Sequence, residues 1–309
     1  MYRNRSRMEC TQVAAELTGN GCRNEGRTEG RQIDYGLKNL AVLVTGAGSN
    51  LGRSSAVMAA AEGARVGVAD VNRQAAEETV AMIEAAGGTA MSLVFDVTDE
   101  AQTEAALDML EAAYGPLYGL VACAGLSRPA MALDMTEEMW SAVIDVNLTG
   151  AFQSCQSAGR RMIRAGRGSI VTIGSTAALA GHARGAVYCA SKHAVVGFTR
   201  VLATEWGALG VRVNCVVPGP IDSVMLRKSM PADYLDAVLV DRTPVNRLGQ
   251  PEDIAGAAMF LLSSGATYVN GITNRTQDRL PDGSIWSPPE PRASGALLPA
   301  GLRRRAARS

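Results

Sequence analysis

From about residue 37 to residue 273 the chain alternates short apolar runs with longer amphipathic stretches, and this rhythm constrains the fold more than any single residue does. An apolar run rich in β-branched residues, followed by a helical period, is a βα unit. Repeated units feed one parallel sheet with helices on both faces. The pattern predicts strands at 40–45, 65–70, 90–95, 118–122, 169–174, 211–216 and 268–273, with helices at 51–62, 73–86, 99–113, 136–164, 186–207 and 251–263. Seven parallel strands joined by crossover helices make a single-domain, doubly wound α/β sheet.

The flanks follow a different grammar. Residues 1–36 are rich in Arg, Glu, Gly and Asn without apolar periodicity, and from Asn274 the chain holds five of its twelve prolines and seven arginines. Neither stretch carries enough apolar surface for a core, so 1–36 is expected as a disordered extension and 274–309 as a disordered basic tail. Charge excludes some partners. Thirty basic residues cancel thirty acidic ones, so no global field favours nucleic acid or an anionic membrane, and no nucleic-acid or membrane partner is expected. The run Arg160, Arg161, Arg164, Arg167 reads as a solvated helix end. Six cysteines without a C-x-x-C pair and only two histidines predict no metal site. With no apolar run long enough to span a bilayer and no apolar leader, a reduced cytoplasmic protein is the expectation.

The first motif, Thr45-Gly46-Ala47-Gly48-Ser49-Asn50-Leu51-Gly52, leaves the first predicted strand and opens a helix. There the backbone N–H groups around Gly46, Ser49, Asn50, Leu51 and Gly52, together with the helix dipole, can receive a pyrophosphate. Asp70 closes the next strand, where a carboxylate can accept hydrogen bonds from an adenosine ribose and repel a 2′-phosphate. NAD is therefore expected ahead of NADP, with Arg53 and Arg73 close enough in sequence to compete. The second motif is Tyr188 and Lys192, four residues apart and so on one helix face, with Ser175 upstream. An ammonium beside a phenol stabilises the phenolate, which can trade protons with an alcohol or ketone. Glycine turn and Tyr/Lys pair together read as hydride transfer. Cys189, beside the tyrosine, reads as a small buried filler rather than a reactive thiol.

With these motifs in place, residues 37–273 resemble the short-chain dehydrogenase/reductase family, a Rossmann fold. The glycine turn looks like its T-G-x-x-x-G-x-G, Asp96-Val97 like its adenine-contacting pair, and Ala124-Gly125 like the end of its N-N-A-G. Asn147 in Asp145-Val146-Asn147-Leu148-Thr149-Gly150 resembles the helix asparagine that supports a water and proton relay to the lysine. Ser175 lies at the family's usual interval before Tyr188. Pro218, Gly219, Ile221 and Ser223 resemble the segment that meets the nicotinamide carboxamide, and 247–254 the segment that resumes the fold after the substrate loop. The resemblance implies Asn147, Ser175, Tyr188 and Lys192 as the catalytic set, with Tyr188 and Lys192 also touching the cofactor, and a homo-oligomer, a tetramer in the family.

Asn50 replaces a turn glycine, Cys123 replaces an asparagine of N-N-A-G, and the sequence after Thr273 departs from the family's ending. Asparagine tolerates a left-handed backbone better than most residues, so dinucleotide binding is expected to survive but weaken. The altered ending puts tetramer formation in doubt. The three departures also leave open a nucleotide-binding regulator with little or no turnover on the same fold. The substrate reads only as a secondary alcohol or its ketone, as in 3-oxoacyl-carrier-protein reductases or sugar and steroid alcohol dehydrogenases. Residues 223–245, with Met225, Leu226, Met230, Tyr234 and Leu235, read equally as a mobile apolar lid or as ordinary helix packing.

Overall fold

A computed structural model describes residues 35–229, 243 and 245–275. The strands are β1 (Ala41–Thr45), β2 (Arg65–Asp70), β3 (Thr89–Val94), β4 (Leu117–Ala122), β5 (Gly168–Ile173), β6 (Val211–Val217) and β7 (Thr273–Arg275). All pair in parallel in the order β3-β2-β1-β4-β5-β6-β7. The helices are α1 (Asn50–Ala61), α2 (Arg73–Ala85), α3 (Glu100–Tyr114), α4 (Glu137–Ile144), α5 (Ala151–Arg164), α6 (Ala186–Trp206), α7 (Val224–Ser229) and α8 (Pro251–Leu262). The long helix expected over 136–164 is α4 and α5 joined by a π-helical segment, Asp145–Gly150.

Every residue of β1 and β5 is buried, because helices cover both faces of the sheet and each alternate side chain finds a core. Val42, Val44, Val66, Val68 and Val121 pack on one face against Ala56, Ala59, Ile254, Ala258 and Met259 from α1 and α8. Leu43, Leu120, Ile170 and Val213 point the other way, onto Leu107, Leu110, Cys155, Met162 and Leu202 of α3, α5 and α6. This period-two division is what makes the strands read as continuous apolar runs. Arg161 departs from its reading as part of a solvated helix end. Its side chain is only 7% exposed and pairs with Glu104, Asp108 and Glu111, locking α5 to α3.

The seventh strand forms later than the apolar pattern places it. Asn270 accepts from Val213 N (2.9 Å) and donates to Ala203 O (2.9 Å). Asn214 donates to Val269 O (2.9 Å) and accepts from Ile272 N (3.2 Å). These amides hold 269–272 as a turn with Gly271 at φ 73°, so ladder pairing starts only at Cys215↔Thr273 and runs to Val217↔Arg275. The strand thus carries two residues beyond the point where composition changes. Of the extension read over 1–36 and the tail read over 274–309, residues 1–34 and 276–309 lie outside the described residues.

Caps place most helix starts. Asn72, Asp99 and Thr136 accept from Ala75 N, Gln102 N and Met139 N, and Gln250 with Asp253 forms a capping box on α8. At the start of α1, as at those of α5 and α6, no side chain caps the helix, so the first-turn N–H groups after Ser49 have no capping side chain. Among the described residues no helix is long and apolar enough to cross a membrane, and no group of three metal-ligating side chains converges.

Candidate active site

The strand order reverses at β1 and β4, and a crevice opens outside their carboxyl ends, the place where ligands bind open α/β sheets. The glycine turn lies there. Gly46 has φ 64°, and a β-carbon on it would sit 2.8 Å from Ala124 Cα; one on Gly52 would sit 2.1 Å from Gly46 O. Glycine at both lets turn, helix and β4 approach one another. Asn50 takes φ 44°, as its tolerance of a left-handed backbone predicts. Its amide donates to Ser49 Oγ (3.3 Å) and accepts from Val224 N (3.3 Å), joining the turn to the loop before α7.

Asp70 sits at the end of β2 as expected, but its carboxylate is engaged. One oxygen accepts from Gly48 N and the other from Asn72 N, each at 2.9 Å. Arg53 reaches the same turn, donating to Gly48 O and to Thr79 Oγ1 (2.9 Å) and pairing with Glu78 (3.3 Å). Arg73 instead pairs with Glu77 on the exposed face of α2 (3.6 Å).

The proton-handling residues come from three elements. Tyr188 and Lys192 lie on α6, with the Lys192 ammonium 5.8 Å from the Tyr188 ring centroid. Lys192 is nearly buried and donates to Ile173 O at 2.8 Å, which ties it to the end of β5. Ser175 follows that strand end, and its hydroxyl accepts from Ala177 N (3.2 Å). Asn147 is buried in the π-helical segment, where it clamps the backbone of Leu126: its Oδ1 accepts from Leu126 N (2.8 Å), and its Nδ2 donates to Leu126 O (2.9 Å) and to Ser191 Oγ (3.3 Å). One lone pair of Oδ1 is left over for a water.

Gly46, Ser49, Asn50, Leu51, Gly52, Asp70, Gly125, Ser175, Tyr188, Lys192, Pro218, Gly219, Ile221 and Ser223 line a single cleft of about 530 Å³. Asn147, Asp96, Val97 and Ala124 do not line it. Asp96 accepts from Thr98 N and Oγ1 (2.9 and 2.8 Å), Val97 packs under Gly150, and Ala124 N donates to Thr45 Oγ1 (3.2 Å). Cys123 lines the floor, and burial pushes its thiol up to about 12, so it stays protonated. Met225 and Leu226 of the expected lid face the cleft; Met230, Tyr234 and Leu235 lie outside the described residues. The cleft also takes Gly181, His182, Ala183 and Arg184, which motif reading passes over. The signal was present in the interval itself: a loop that starts at Ser175 and ends at Tyr188 has to run along the site.

A protein-family model described as Enoyl-(Acyl carrier protein) reductase matches residues 46–275. The chain is 38% identical over 239 residues to the D-threitol dehydrogenase of Mycolicibacterium smegmatis, covering 77% of this chain and 92% of that protein. Among solved structures it resembles a gluconate 5-dehydrogenase from Burkholderia cenocepacia in complex with NADP and tartrate (33% identity, TM-score 0.74, 78% of this chain and 95% of the other). It also resembles a protein from Beutenbergia cavernae described as an NAD(P)-dependent gluconate 5-dehydrogenase with bound NADP (35% identity, TM-score 0.75, 79% and 97%). These two NADP complexes overturn the expectation that NADP is the less favoured cofactor. The physical reason lies in the turn, where the Arg53 guanidinium brings positive charge to Gly48 O, on the residue whose N–H the Asp70 carboxylate holds.

Proposed function

Because the chain belongs to the short-chain dehydrogenase/reductase family, we propose that Tyr188 moves the proton in its reaction, with Ser175 and Lys192 beside it and Asn147 positioning the loop that frames them. The chain is an NAD(P)-dependent oxidoreductase acting on CH–OH and C=O groups. The observation that carries the residue assignment is that Ser175, Tyr188 and Lys192 line the same cleft as the uncapped start of α1.

A dinucleotide fits this cleft. The first-turn N–H groups of α1 suit a pyrophosphate, and glycine at 46 and 52 lets the turn close tightly beside them. When bound, its nicotinamide supplies the hydride acceptor or donor. In oxidation the Tyr188 phenolate takes the substrate hydroxyl proton; in reduction the phenol returns it to the oxygen. The Ser175 hydroxyl donates to that same oxygen and shares the charge that builds on it. Lys192 is fixed by Ile173 O, so its ammonium is held near the Tyr188 ring without having to be ordered first. Neither Asn50 nor Cys123 obstructs this arrangement, which leaves the non-catalytic alternative without a structural support.

The substrate class is a secondary alcohol or its ketone. D-threitol and gluconate, for which relatives are named, are the first compounds to try. A homo-oligomer is part of the proposal, supported by the exposed Met139, Trp140 and Phe152 on α4 and α5. So is residence in the reducing cytoplasm, supported by free Cys123, Cys155, Cys189 and Cys215. The test of the assignment is Tyr188→Phe, assayed with an alcohol panel and both NAD and NADP. Turnover is expected to fall about 10²–10⁴-fold while dinucleotide binding persists. A variant keeping more than about a hundredth of the rate would refute Tyr188 as the acid/base.

A further inference from the structure

We propose that Arg184 is an anion-recognising residue at the substrate end of the cleft, so that the preferred alcohol or ketone carries a carboxylate or a comparable acidic group. The inference rests on the hydride-transfer reading above and specifies the substrate class it leaves open.

Arg184 lines the cleft on the loop between Ser175 and Tyr188. Its backbone stands at φ 62°, a left-handed conformation uncommon for any residue with a β-carbon. Strain of this kind persists where the surroundings over-determine it, and here they do. The Arg184 carbonyl accepts from Ala130 N (3.2 Å), and Gly185 N donates to His182 O (3.2 Å). The His182 ring covers Gly185 so closely that a β-carbon there would lie 2.2 Å from it. The turn therefore sets the point from which the arginine side chain departs.

Charge around the cleft supplies the second observation. Asp70 is the only carboxylate among the described lining residues, and both of its oxygens are bonded at the glycine turn. Lys192 is nearly buried and committed to Ile173 O. The Arg184 side chain is exposed and makes no hydrogen bond or ion pair among the described residues. Two other cations near the cleft are matched: Arg227 holds Asp222 through two bonds of 2.6 Å, and Arg53 pairs with Glu78. A free guanidinium on a fixed turn is a ready fork for a carboxylate, phosphate or sulfonate.

The test compares short hydroxy acids with their neutral primary amides in wild type, Arg184→Gly and Arg184→Lys. Glycine accepts the left-handed backbone, so Arg184→Gly removes the charge without opposing the turn. Wild type is expected to prefer acid over amide in kcat/KM by at least about tenfold, or 1.4 kcal/mol. The preference should disappear in Arg184→Gly and survive in part in Arg184→Lys. Calorimetry on the NADP-saturated protein, with unreactive alkanoates and alkanamides as probes, should show the same ranking without any turnover. An acid preference in binding alone, with no alcohol oxidised, would sustain the anion site and sink the hydride-transfer assignment. Equal use of acids and amides by wild type, or an unchanged preference in Arg184→Gly, would overturn the proposal. So would a tenfold loss of dinucleotide affinity in Arg184→Gly, since that would place the guanidinium on the cofactor.

Discussion

Truncating Asn147 to alanine asks whether the π-helical segment builds the site or merely passes beneath it. Asn147 is 1% exposed and makes three side-chain hydrogen bonds, two of them to the backbone of Leu126, 21 residues away. Ser191 Oγ loses little, because it keeps its own bond to Tyr188 O at 2.8 Å. Leu126 loses both backbone partners. An unsatisfied buried donor or acceptor costs about 1–3 kcal/mol, and Leu126 is only partly buried, so the expected destabilisation is about 2–4 kcal/mol. Urea unfolding followed by circular dichroism measures it. Gly125 lies between Asn147 and Lys192, so loosening the loop should also lower kcat by at least about tenfold. Asn147→Asp sharpens the test. Its carboxyl still accepts from Leu126 N but meets Leu126 O with a lone pair in place of a donor. Protonation restores the donor, so the folded state raises this carboxyl above its unfolded value of about 3.9. Stability is then fully present below that value and lost as pH rises through the folded one, so the variant should approach wild type near about pH 4 and fall behind at about pH 7. A loss under about 0.5 kcal/mol with kcat intact would refute the clamp.

Three further outcomes follow from the geometry. Gly46→Val places a β-branched residue at φ 64° against Ala124, at a conformational cost of about 1–2 kcal/mol before the clash, and should abolish dinucleotide binding in a fluorescence titration. Asp253 is held down at about 2 by the Arg247 guanidinium (2.6 and 2.8 Å) and by Gln250 N. Its contribution is present above the unfolded carboxylate value and lost as pH falls through about 2. Because the pair is largely solvated, Arg247→Met should narrow the acid-stability gap only slightly in urea titrations across this window. Cys189 should alkylate faster with iodoacetamide than Cys123 or Cys155, read by peptide mass spectrometry. Burial alone would raise the Cys189 thiol, but the His182 hydrogen bond and charge bring it down, whereas burial pushes the other two up to about 12.

Six of the strands are legible in the sequence to within a residue because each is mainly apolar, most fully so in β1, where every residue is buried, while β3 at the sheet edge is only partly buried. The glycine turn, Ser175, Tyr188 and Lys192 are legible for another reason. Backbone approach to phosphate and proton transfer each demand particular residue types at fixed intervals. Sequence by itself therefore determined a doubly wound parallel sheet, a dinucleotide turn and a tyrosine beside a lysine. Contacts between residues distant in the chain decided the rest. Asn270 and Asn214 delay β7 by satisfying backbone groups that an apolar pattern does not register. Asp70 reads as a lone charge at the cofactor turn until Arg53 is seen on Gly48 O beside it. Asn147 becomes a clamp only when Leu126 folds against it, and Arg184 becomes a cleft residue only when its loop is pinned by Ala130. Periodicity records which face a residue buries; it holds no information about which distant donor or charge that residue will meet there.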